Sequence, residues 1–306
     1  MIIFLKLYQI QSAKVLKNII YTFILFFTFA LFVSINIMIM GLVKAKKSLG
    51  QHFLIDESIA KRIVDSLLLP SKDKIFPVLE IGPGTGVLTK YLLADPNIKL
   101  EVAEIDRDSI DYLKNEYPQL LYSLYERDFL AIPLDVIFNT PFFVIGNFPY
   151  NISSQIFFKI LDYKDLVPQV VCMLQKEVAQ RLASPPGNKA YGILSVLLQA
   201  WYDIEYLFTV DENVFNPPPK VKSGVIRLVR NSRTTLGCDE QLFKQIVKTC
   251  FNQRRKTIRN SIKPLFDKYE MSEENRALVK NNYLMDKRPE QLSVEDFIEL
   301  ANTFKI

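Results

Sequence analysis

The chain has few of the side chains on which many active sites depend, since its 306 residues include one histidine and three cysteines. The only histidine is His52, which argues against Ser-His-Asp or Cys-His nucleophilic catalysis and excludes a multi-histidine metal centre. The cysteines, Cys172, Cys238 and Cys250, are odd in number and lack C-x-x-C spacing, so they indicate neither disulfides nor a metal site. We therefore expect no metal, and any catalysis has to depend on binding and orientation.

Charge is absent from one long stretch near the start of the chain. No charged residue occurs between Lys17 and Lys44, and this apolar segment exceeds the roughly 20 residues that span a bilayer. It is too long for the core of a signal peptide and shows no small-residue cleavage site. Two methionines stand directly before G-L-V-K-A-K-K. We interpret residues 1–43 as an apolar leader, either a membrane anchor or a misplaced start, and expect membrane association only if residues 1–39 are translated.

Positive charge, in contrast, is concentrated in one later part of the chain. Between Lys220 and Lys268 there are 13 Lys and Arg residues against 3 acidic ones, although the whole chain has a net charge of only +5. The remainder of the sequence is therefore net negative. Such an asymmetry is typical of a region that faces a polyanion, although a solvated basic surface would have the same composition.

From Ile75 onward, short apolar runs alternate with amphipathic helical patterns. Five runs of strand length predict strands at 76–81, 100–105, 120–125, 142–145 and 170–174. Helices are predicted between them, near 86–95, 107–116 and 152–162. Two further runs, around 204–210 and 224–229, are expected to pair antiparallel at one edge. The alternation predicts an α/β fold whose largely parallel sheet has helices on both faces.

After about Asn231 the strand pattern stops. Helices are predicted there over 240–251, 253–266, 272–280 and 290–303. The second of them would carry an apolar face and a basic face, formed by Phe251, Ile258, Ile262 and Leu265 and by Lys256, Arg259 and Lys263. We expect three parts in the chain: the leader over 1–43, an α/β domain over 44–230 and a small helical domain over 231–306.

The first predicted strand ends in a glycine-rich turn, E-I-G-P-G-T-G. Gly82, Gly84 and Gly86 permit positive φ and a close approach of ligand to backbone, and a helix starts beyond them. The spacing G-x-G-x-G departs from the G-x-G-x-x-G of dinucleotide sites. At the end of the next strand, Glu104 or Asp106 could accept hydrogen bonds from a ribose diol. A nucleoside cofactor follows, and NAD and S-adenosylmethionine both contain a ribose.

Two more strand ends carry polar motifs, and open α/β sheets bind ligands at such ends. E-R-D-F places Asp128 where it could accept a hydrogen bond from an adenine amine. G-N-F-P-Y follows F-F-V-I and sets Phe148 and Tyr150 on either side of Pro149. These rings either plug the core or face a flat partner.

Several motifs in one order resemble those of the ribosomal RNA adenine dimethyltransferases. They are K-K-S-L-G-Q-H-F-L, E-I-G-P-G-T-G, the acidic strand end at Glu104, R-D-F, N-F-P-Y, V-F-N-P-P-P-K-V-K-S and F-N-Q-R-R-K-T-I-R-N. The resemblance runs from about Lys44 to the end of the chain and is greatest to the bacterial branch that acts on small-subunit (16S) rRNA. The leader has no counterpart in the family.

The resemblance implies a Rossmann-like S-adenosylmethionine-dependent methyltransferase sheet with a small C-terminal all-helical domain. It implies an enzyme that dimethylates the amine N6 of adenosines in small-subunit rRNA during ribosome biogenesis. We expect it to act in the cytoplasm as a monomer, with rRNA or the pre-small subunit and not DNA as its partner.

By the same resemblance, specific residues would hold S-adenosylmethionine. His52 and Leu54 would contact its methionine part with Gln51 beside them, although some family members carry Asn at the position of His52. The remaining cofactor-binding residues would be Gly82 and Gly84 near the carboxylate and ribose, Glu104 on the ribose hydroxyls, Asp128 on the adenine amine and Asn147 near the sulfonium.

N-F-P-Y would then be the catalytic motif. An adenine amine is a poor nucleophile, so its hydrogens have to be held while its lone pair turns toward the methyl group. The Asn147 oxygen and the Phe148 carbonyl can accept those hydrogens, and Pro149 fixes the second carbonyl. Tyr150 offers a face on which the flipped base can stack, and Phe215 resembles the second stacking ring of the family. The Phe148 ring itself is expected in the core.

The basic stretch would contact the phosphates of folded RNA, which is recognised by its shape more than by base edges. We predict that six residues make these contacts: Lys220, Lys222, Arg254, Arg255, Lys256 and Arg259. A nicotinamide oxidoreductase would share the glycine turn but would not explain N-F-P-Y. The alternatives that remain are a large-subunit rRNA adenine methyltransferase and an rRNA-binding assembly factor without turnover.

Overall fold

The computed structural model of the chain describes residues 43–304. The predicted leader therefore lies outside the described residues, except for its last position. Among residues 43–304 no helix is long and apolar enough to cross a membrane.

Strands form at the apolar runs that predicted them. The strands of the described residues are β1 (Phe53–Leu54), β2 (Phe76–Ile81), β3 (Ile98–Glu104), β4 (Leu124–Glu126), β5 (Phe143–Asn147), β6 (Gln169–Gln175), β7 (Tyr202–Val210), β8 (Phe215–Asn216) and β9 (Ser223–Arg230). Seven of them form one sheet in the order β4-β3-β2-β5-β6-β9-β7, and β1 pairs with β8. The strands from β4 to β6 run parallel, whereas β9 is antiparallel to both of its neighbours. The predicted antiparallel edge pair is thus confirmed as β7 and β9.

Helices occupy most of the segments between and after these strands. They are α1 (Glu57–Asp65), α2 (Thr89–Ala94), α3 (Arg107–Glu116), α4 (Leu134–Ile137), α5 (Ser153–Asp162), α6 (Lys176–Ala183), α7 (Ile193–Gln199), α8 (Glu240–Asn252), α9 (Ile258–Ser261), α10 (Lys263–Lys268), α11 (Glu273–Lys280) and α12 (Val294–Thr303). Short 3-10 helices add Lys47–Leu49, Pro118–Leu120, Phe129–Ala131, Glu212–Val214, Tyr283–Asp286 and Pro289–Gln291. The predicted α/β fold with a helical C-terminal region is confirmed.

The central strands are buried on both faces, as expected for a sheet with helices on each side. In β5, Phe143 and Ile145 pack in one core cluster while Val144, which lies between them, packs in the other. The cluster that contains Val144 continues without interruption into α8 and α12, through residues such as Ile246 and Phe297. From Ala45 onward the described residues accordingly form one compact unit. The division at residues 230 and 231 coincides with the end of β9 and stays a prediction about folding units.

Three predicted elements differ from the structure. The helix predicted over 290–303 begins only at Val294, because Ser293 caps it and Pro289–Gln291 forms a separate 3-10 helix. The run 120–125 is a strand only from Leu124 to Glu126, because Pro118–Leu120 forms a 3-10 helix that starts at a proline. The continuous helix over 253–266 is wrong, since residues 253–257 form a turn and two short helices follow, α9 and α10. Proline cannot donate its backbone nitrogen to a helix interior, and Pro264 accordingly lies in the first turn of α10. The apolar residues of this segment, Ile258, Ile262 and Leu265, are nevertheless buried as predicted.

The strand order places the first strand of the sheet, β2, between β3 and β5. The chain continues from β2 to β3 and β4 on one side, and it returns to form β5 and β6 on the other side. This reversal of strand order opens a crevice at the carboxyl ends of the strands. The candidate site lies there.

Candidate active site

A cavity of about 320 Å³ lies at the carboxyl ends of β2, β3 and β5. Its walls come from the 3-10 helix and β1 at the start of the described chain, the glycine turn, and the loops that follow β3, β4 and β5. The cavity brings together all the residues predicted to bind the cofactor: Gln51, His52, Leu54, Gly82, Gly84, Glu104, Asp128 and Asn147. These side chains come from positions almost 100 residues apart in the chain.

The glycine turn between β2 and α2 has the positive φ angles that its sequence predicts. Gly82 and Gly84 have φ of 64° and 57°. A Cβ atom on Gly84 would lie 2.8 Å from the Phe53 ring, so the turn packs directly against β1. A Cβ atom on Gly82 would meet only Pro149, at 3.9 Å, and both residues line the cavity. The absence of a side chain at Gly82 therefore leaves room for a ligand against the backbone.

Glu104, at the end of β3, is 5% exposed and is held by backbone donors. Its Oε1 accepts hydrogen bonds from the backbone nitrogens of Ile105 and Asp106, each at 2.9 Å, and its Oε2 accepts from Gly84 at 3.1 Å. Burial raises the pKa of the Glu104 carboxyl, while these hydrogen bonds act in the opposite direction. Both lone pairs of Oε1 are therefore engaged, and Oε2 keeps one free lone pair with which the fixed carboxylate can accept from a ligand hydroxyl.

Asp106, the other acidic residue considered for this role, does not line the cavity. The Asp106 carboxylate forms an ion pair with Lys46 and accepts a hydrogen bond from the Ser109 hydroxyl at 3.0 Å. Lys46 also pairs with Asp108 at 2.9 Å. Burial alone would raise the pKa of Asp106, but the bonds from Lys46, Gln51 and Ser109 lower it below its ordinary value. The structure thus leaves Glu104 as the acceptor that faces the cavity, and it gives Asp106 a structural task.

Glu80, at the end of β2, lines the cavity but was not predicted to act there. Its carboxyl is 1% exposed and accepts a hydrogen bond from the Thr89 hydroxyl at 2.6 Å. Burial raises the pKa of Glu80 to about 8, and the nearby Glu104 carboxylate adds to the rise. The group is therefore mostly neutral at pH 7. A charged residue within the buried run F-P-V-L-E-I was the signal that could have identified it.

The predicted catalytic motif, N-F-P-Y, follows β5 and lines the cavity. Asn147 is half-buried, and its Nδ2 donates to the backbone carbonyl of His52 at 3.0 Å. The Phe148 nitrogen donates to the Met173 carbonyl at 2.9 Å, and no described residue donates to the Phe148 carbonyl. The Phe148 ring is 1% exposed and packs edge-on against Phe157. The prediction that this ring belongs to the core is confirmed.

Two contacts hold the side chain of Tyr150 in place, one at its hydroxyl and one at the face of its ring. Its hydroxyl is 2.5 Å from the Ser223 hydroxyl, and its ring stacks on the His52 ring with centroids 5.5 Å apart. Burial raises the pKa of Tyr150, so the phenol stays neutral at physiological pH. No signal in the sequence indicates that Ser223, on the distant strand β9, holds this ring.

Phe215 does not line the cavity. Its side chain is 3% exposed, and it pairs with Leu54 across the two short strands β1 and β8. It packs in the same core cluster as Leu54 and Val225. A stacking role for this ring would require it to leave the core, and that role stays a prediction.

The six residues predicted to bind RNA lie outside the cavity and differ in their surroundings. Lys222 pairs with Asp211 at 2.9 Å, and Arg259 donates twice to Asp286 at 3.1 Å. Arg254 donates to the backbone carbonyls of Lys189 and Asn188 at 2.5 and 3.4 Å. The other three, Lys220, Arg255 and Lys256, are exposed and have no side-chain partner among the described residues. Charge alone could not separate these two groups.

Comparison with known proteins adds the following findings. The model of the family described as "Ribosomal RNA adenine dimethylase" matches residues 42–305. The chain is 60% identical over 262 residues to "Ribosomal RNA small subunit methyltransferase A" of Parabacteroides distasonis, which covers 86% of this chain and 94% of that protein.

Two solved structures share the fold. A dimethyladenosine transferase from Plasmodium falciparum is 25% identical with a TM-score of 0.66, covering 81% of this chain and 96% of that one. The 23S rRNA methyltransferase ErmE is 24% identical with a TM-score of 0.58, covering 82% of this chain and 99% of that one. At this identity the likeness to ErmE shows the fold alone.

Proposed function

Because this chain belongs to the ribosomal RNA adenine dimethylase family, we propose that it methylates the exocyclic amine N6 of adenosines in small-subunit (16S) rRNA. The methyl donor is S-adenosylmethionine, and two transfers to one amine give dimethyladenosine. The relatives named as small-subunit enzymes, at 55–60% identity, favour small-subunit rRNA over the large-subunit alternative. The observation that carries the proposal is the position of N-F-P-Y at the mouth of a cavity shaped for a nucleoside.

The cavity presents open backbone and acceptors that suit the parts of S-adenosylmethionine. Gly82 leaves an open space against the backbone, and Glu104 presents a fixed carboxylate whose Oε2 can accept from a ribose hydroxyl. Asp128 lines the wall beside Leu130, where its carboxylate can accept from an adenine amine. When bound there, S-adenosylmethionine supplies an electrophilic methyl group on a positively charged sulfur.

The residues of the motif have the task of orienting the target amine. Asn147 and the Phe148 carbonyl each present an acceptor, so the two hydrogens of the amine can be held while its lone pair faces the methyl group. Pro149 restricts the backbone that follows Phe148, and Tyr150 is held by Ser223 and His52. Such positioning lowers the barrier without a catalytic base, because a methylated cationic amine loses its proton readily to water.

We assign contact with rRNA to the exposed cations of the helical region, Arg255 and Lys256, together with Lys220 in the loop between β8 and β9. We expect the enzyme in the cytoplasm, where the pre-small subunit assembles, and we expect it to act as a monomer that does not modify DNA. The start of the native protein, and with it any role of the leader, is a separate question that N-terminal sequencing answers.

A radiolabelled methyl-transfer assay tests the proposal. Unmethylated small subunits, naked small-subunit rRNA and DNA are each incubated with wild type and with Asn147→Ala. We expect incorporation into rRNA as N6-dimethyladenosine and a loss of about 100-fold or more in kcat for Asn147→Ala, because one preorganised acceptor is removed. Incorporation into DNA, undiminished activity of the variant, or binding of rRNA without any transfer would overturn the proposal.

A further inference from the structure

The amide of Asn147 has two different ends, and the structure fixes which end faces the cavity. Nδ2 donates to the backbone carbonyl of His52 at 3.0 Å. Because a carbonyl oxygen only accepts hydrogen bonds, the nitrogen of the amide, and not its oxygen, has to occupy this position. The oxygen Oδ1 is therefore turned away from His52.

Oδ1 has no hydrogen-bond donor among the described residues, yet it is not sealed in the core. Asn147 is half-buried and lines the cavity, and Oδ1 is not one of the buried polar atoms that lack a partner. An accessible acceptor without a partner thus faces the cavity. This is the atom that has to hold one hydrogen of the target amine.

The backbone that carries the His52 carbonyl is itself held in place. The ring of His52 stacks on Tyr150, and its Nδ1 lies 2.9 Å from the Pro217 carbonyl, which requires Nδ1 to carry the proton. Two residues earlier, Gly50 approaches Asn151 so closely that a Cβ atom would lie 2.6 Å from the Asn151 side-chain oxygen. The carbonyl is therefore a fixed group and not one that adapts to its neighbour.

We propose that His52 is a positioning residue that acts through its backbone carbonyl, and that this carbonyl makes position 147 selective for asparagine over aspartate. The inference rests on the proposed function. In Asn147→Asp, an ionised carboxylate would place an acceptor oxygen against the His52 carbonyl oxygen, where the Asn147 amide now donates. Two acceptors repel each other, so the carboxylate would turn away from His52. A protonated aspartic acid would donate to the carbonyl and keep its other oxygen as an acceptor, as asparagine does.

The pH dependence of Asn147→Asp tests this arrangement. Methyl transfer to unmethylated small subunits is measured for wild type, Asn147→Asp and Asn147→Ala from about pH 5.5 to 8.5, and each variant is expressed as a ratio to wild type. The ratio removes the effects of the titratable groups that line the cavity in all three proteins: His52, Glu80, Glu104, Asp128 and Tyr150.

We expect Asn147→Asp to be about 100-fold slower than wild type at the alkaline end, as for loss of one preorganised acceptor. Its ratio should rise at least about tenfold toward the acidic end, where a larger fraction of the aspartate is protonated, whereas the ratio of Asn147→Ala should stay flat. The effect should lie in kcat for the rRNA substrate, measured at saturating S-adenosylmethionine. Wild-type activity of Asn147→Asp at alkaline pH, or a ratio as flat as that of Asn147→Ala, would overturn the inference.

A second measurement does not depend on activity. In ¹⁵N-labelled wild type, the side-chain amide signal of Asn147 is assigned by its absence from Asn147→Asp. We expect the amide proton that bonds to the His52 carbonyl to exchange with solvent more slowly than the other proton of the same amide. Equally fast exchange of both protons would sink the inference. If wild type modified no rRNA, the proposed function would fail, while this signal would still decide how Asn147 is oriented.

Discussion

The cavity and the basic helical region both present charged groups to a ligand, but the fold prepares them in different ways. In the cavity, Glu104 is buried and accepts three backbone hydrogen bonds, and Glu80 is buried against a hydroxyl. On the helical region, Arg255 and Lys256 are exposed and unpartnered. The first arrangement gives a preorganised site with a fixed geometry, whereas the second gives a field that attracts phosphates without fixing them.

Within the basic stretch, charge by itself does not determine which side chains are free to bind a phosphate. Arg254, Arg259 and Lys222 belong to the same basic stretch, but each is engaged by a carbonyl or a carboxylate of the protein. Such residues have first to release a partner before they can bind a phosphate. We therefore expect the unpartnered cations to contribute more to RNA affinity than the engaged ones.

The largest effect is expected for Glu80→Gln in the cavity, because it removes a buried ionisable group. The folded pKa of about 8 lies above the unfolded value of 4.5, so both states are protonated at low pH. As pH rises between these values, the unfolded chain ionises and the folded protein does not, and wild type loses stability until the folded pKa is passed. Glu80→Gln keeps the acceptor for Thr89 without this loss.

Urea unfolding at about pH 5, 7 and 9 measures that difference. At pH 5 the two proteins should be similarly stable, and by pH 9 Glu80→Gln should be more stable by roughly 3 to 5 kcal/mol. A matched control is Glu116→Gln at an exposed position of α3, which should stay within about 0.5 kcal/mol of wild type at every pH. A constant difference for Glu80→Gln across the three values would contradict a raised pKa.

A smaller effect is expected when the charge of the helical region is reversed in Arg255→Glu, Lys256→Glu. Loss of two phosphate contacts should weaken the affinity for small-subunit rRNA about 10- to 100-fold at low salt and reduce the slope of log affinity against log salt by about 2. The affinity for S-adenosylmethionine, measured by calorimetry, should not change, because neither residue lines the cavity.

The matched control for this double variant is Lys72→Glu, Lys74→Glu. These lysines precede β2 and therefore lie at the amino end of the strands, opposite the cavity. They carry the same change in charge, so an equal loss of RNA affinity would mean that net charge, and not the helical region, controls binding. That result would contradict the view that the helical region attracts phosphates through its own exposed cations.

The smallest effect is expected for Arg254→Ala. Its guanidinium holds the carbonyls of Asn188 and Lys189, in the loop between α6 and α7, and lies 3.8 Å from Glu290. Its removal should lower the free energy of unfolding by about 1 kcal/mol and increase amide exchange in that loop. Arg255→Ala should cost less than about 0.5 kcal/mol, since it has no partner to lose. Equal destabilisation by the two variants would show that the bonds of Arg254 do not stabilise the fold.

Many of the strands and helices can be predicted from local patterns of apolar and polar residues. β2 begins and ends where the apolar run F-P-V-L-E-I predicts, and α3 and α8 agree with the predicted helices to within a residue. The segment after Asn252 was harder to predict, because its apolar spacing fits one helix while Pro264 and the turn over 253–257 interrupt it. Periodicity reports which residues are buried, but it does not report every break in the backbone.

The sequence by itself determined which polar motifs stand at the strand ends, since the glycine turn, Glu104, Asp128 and N-F-P-Y each lie at or directly after the end of an apolar run. Only the tertiary structure decided which distant residues form hydrogen bonds with the residues of these motifs. The carbonyl of His52 orients Asn147 from 95 residues away, Ser223 holds Tyr150 from 73 residues away, and burial changes the charge of Glu80. Hydrogen-bond partners and desolvation depend on what the fold brings close, and neither quantity is encoded by the spacing of residues along the chain.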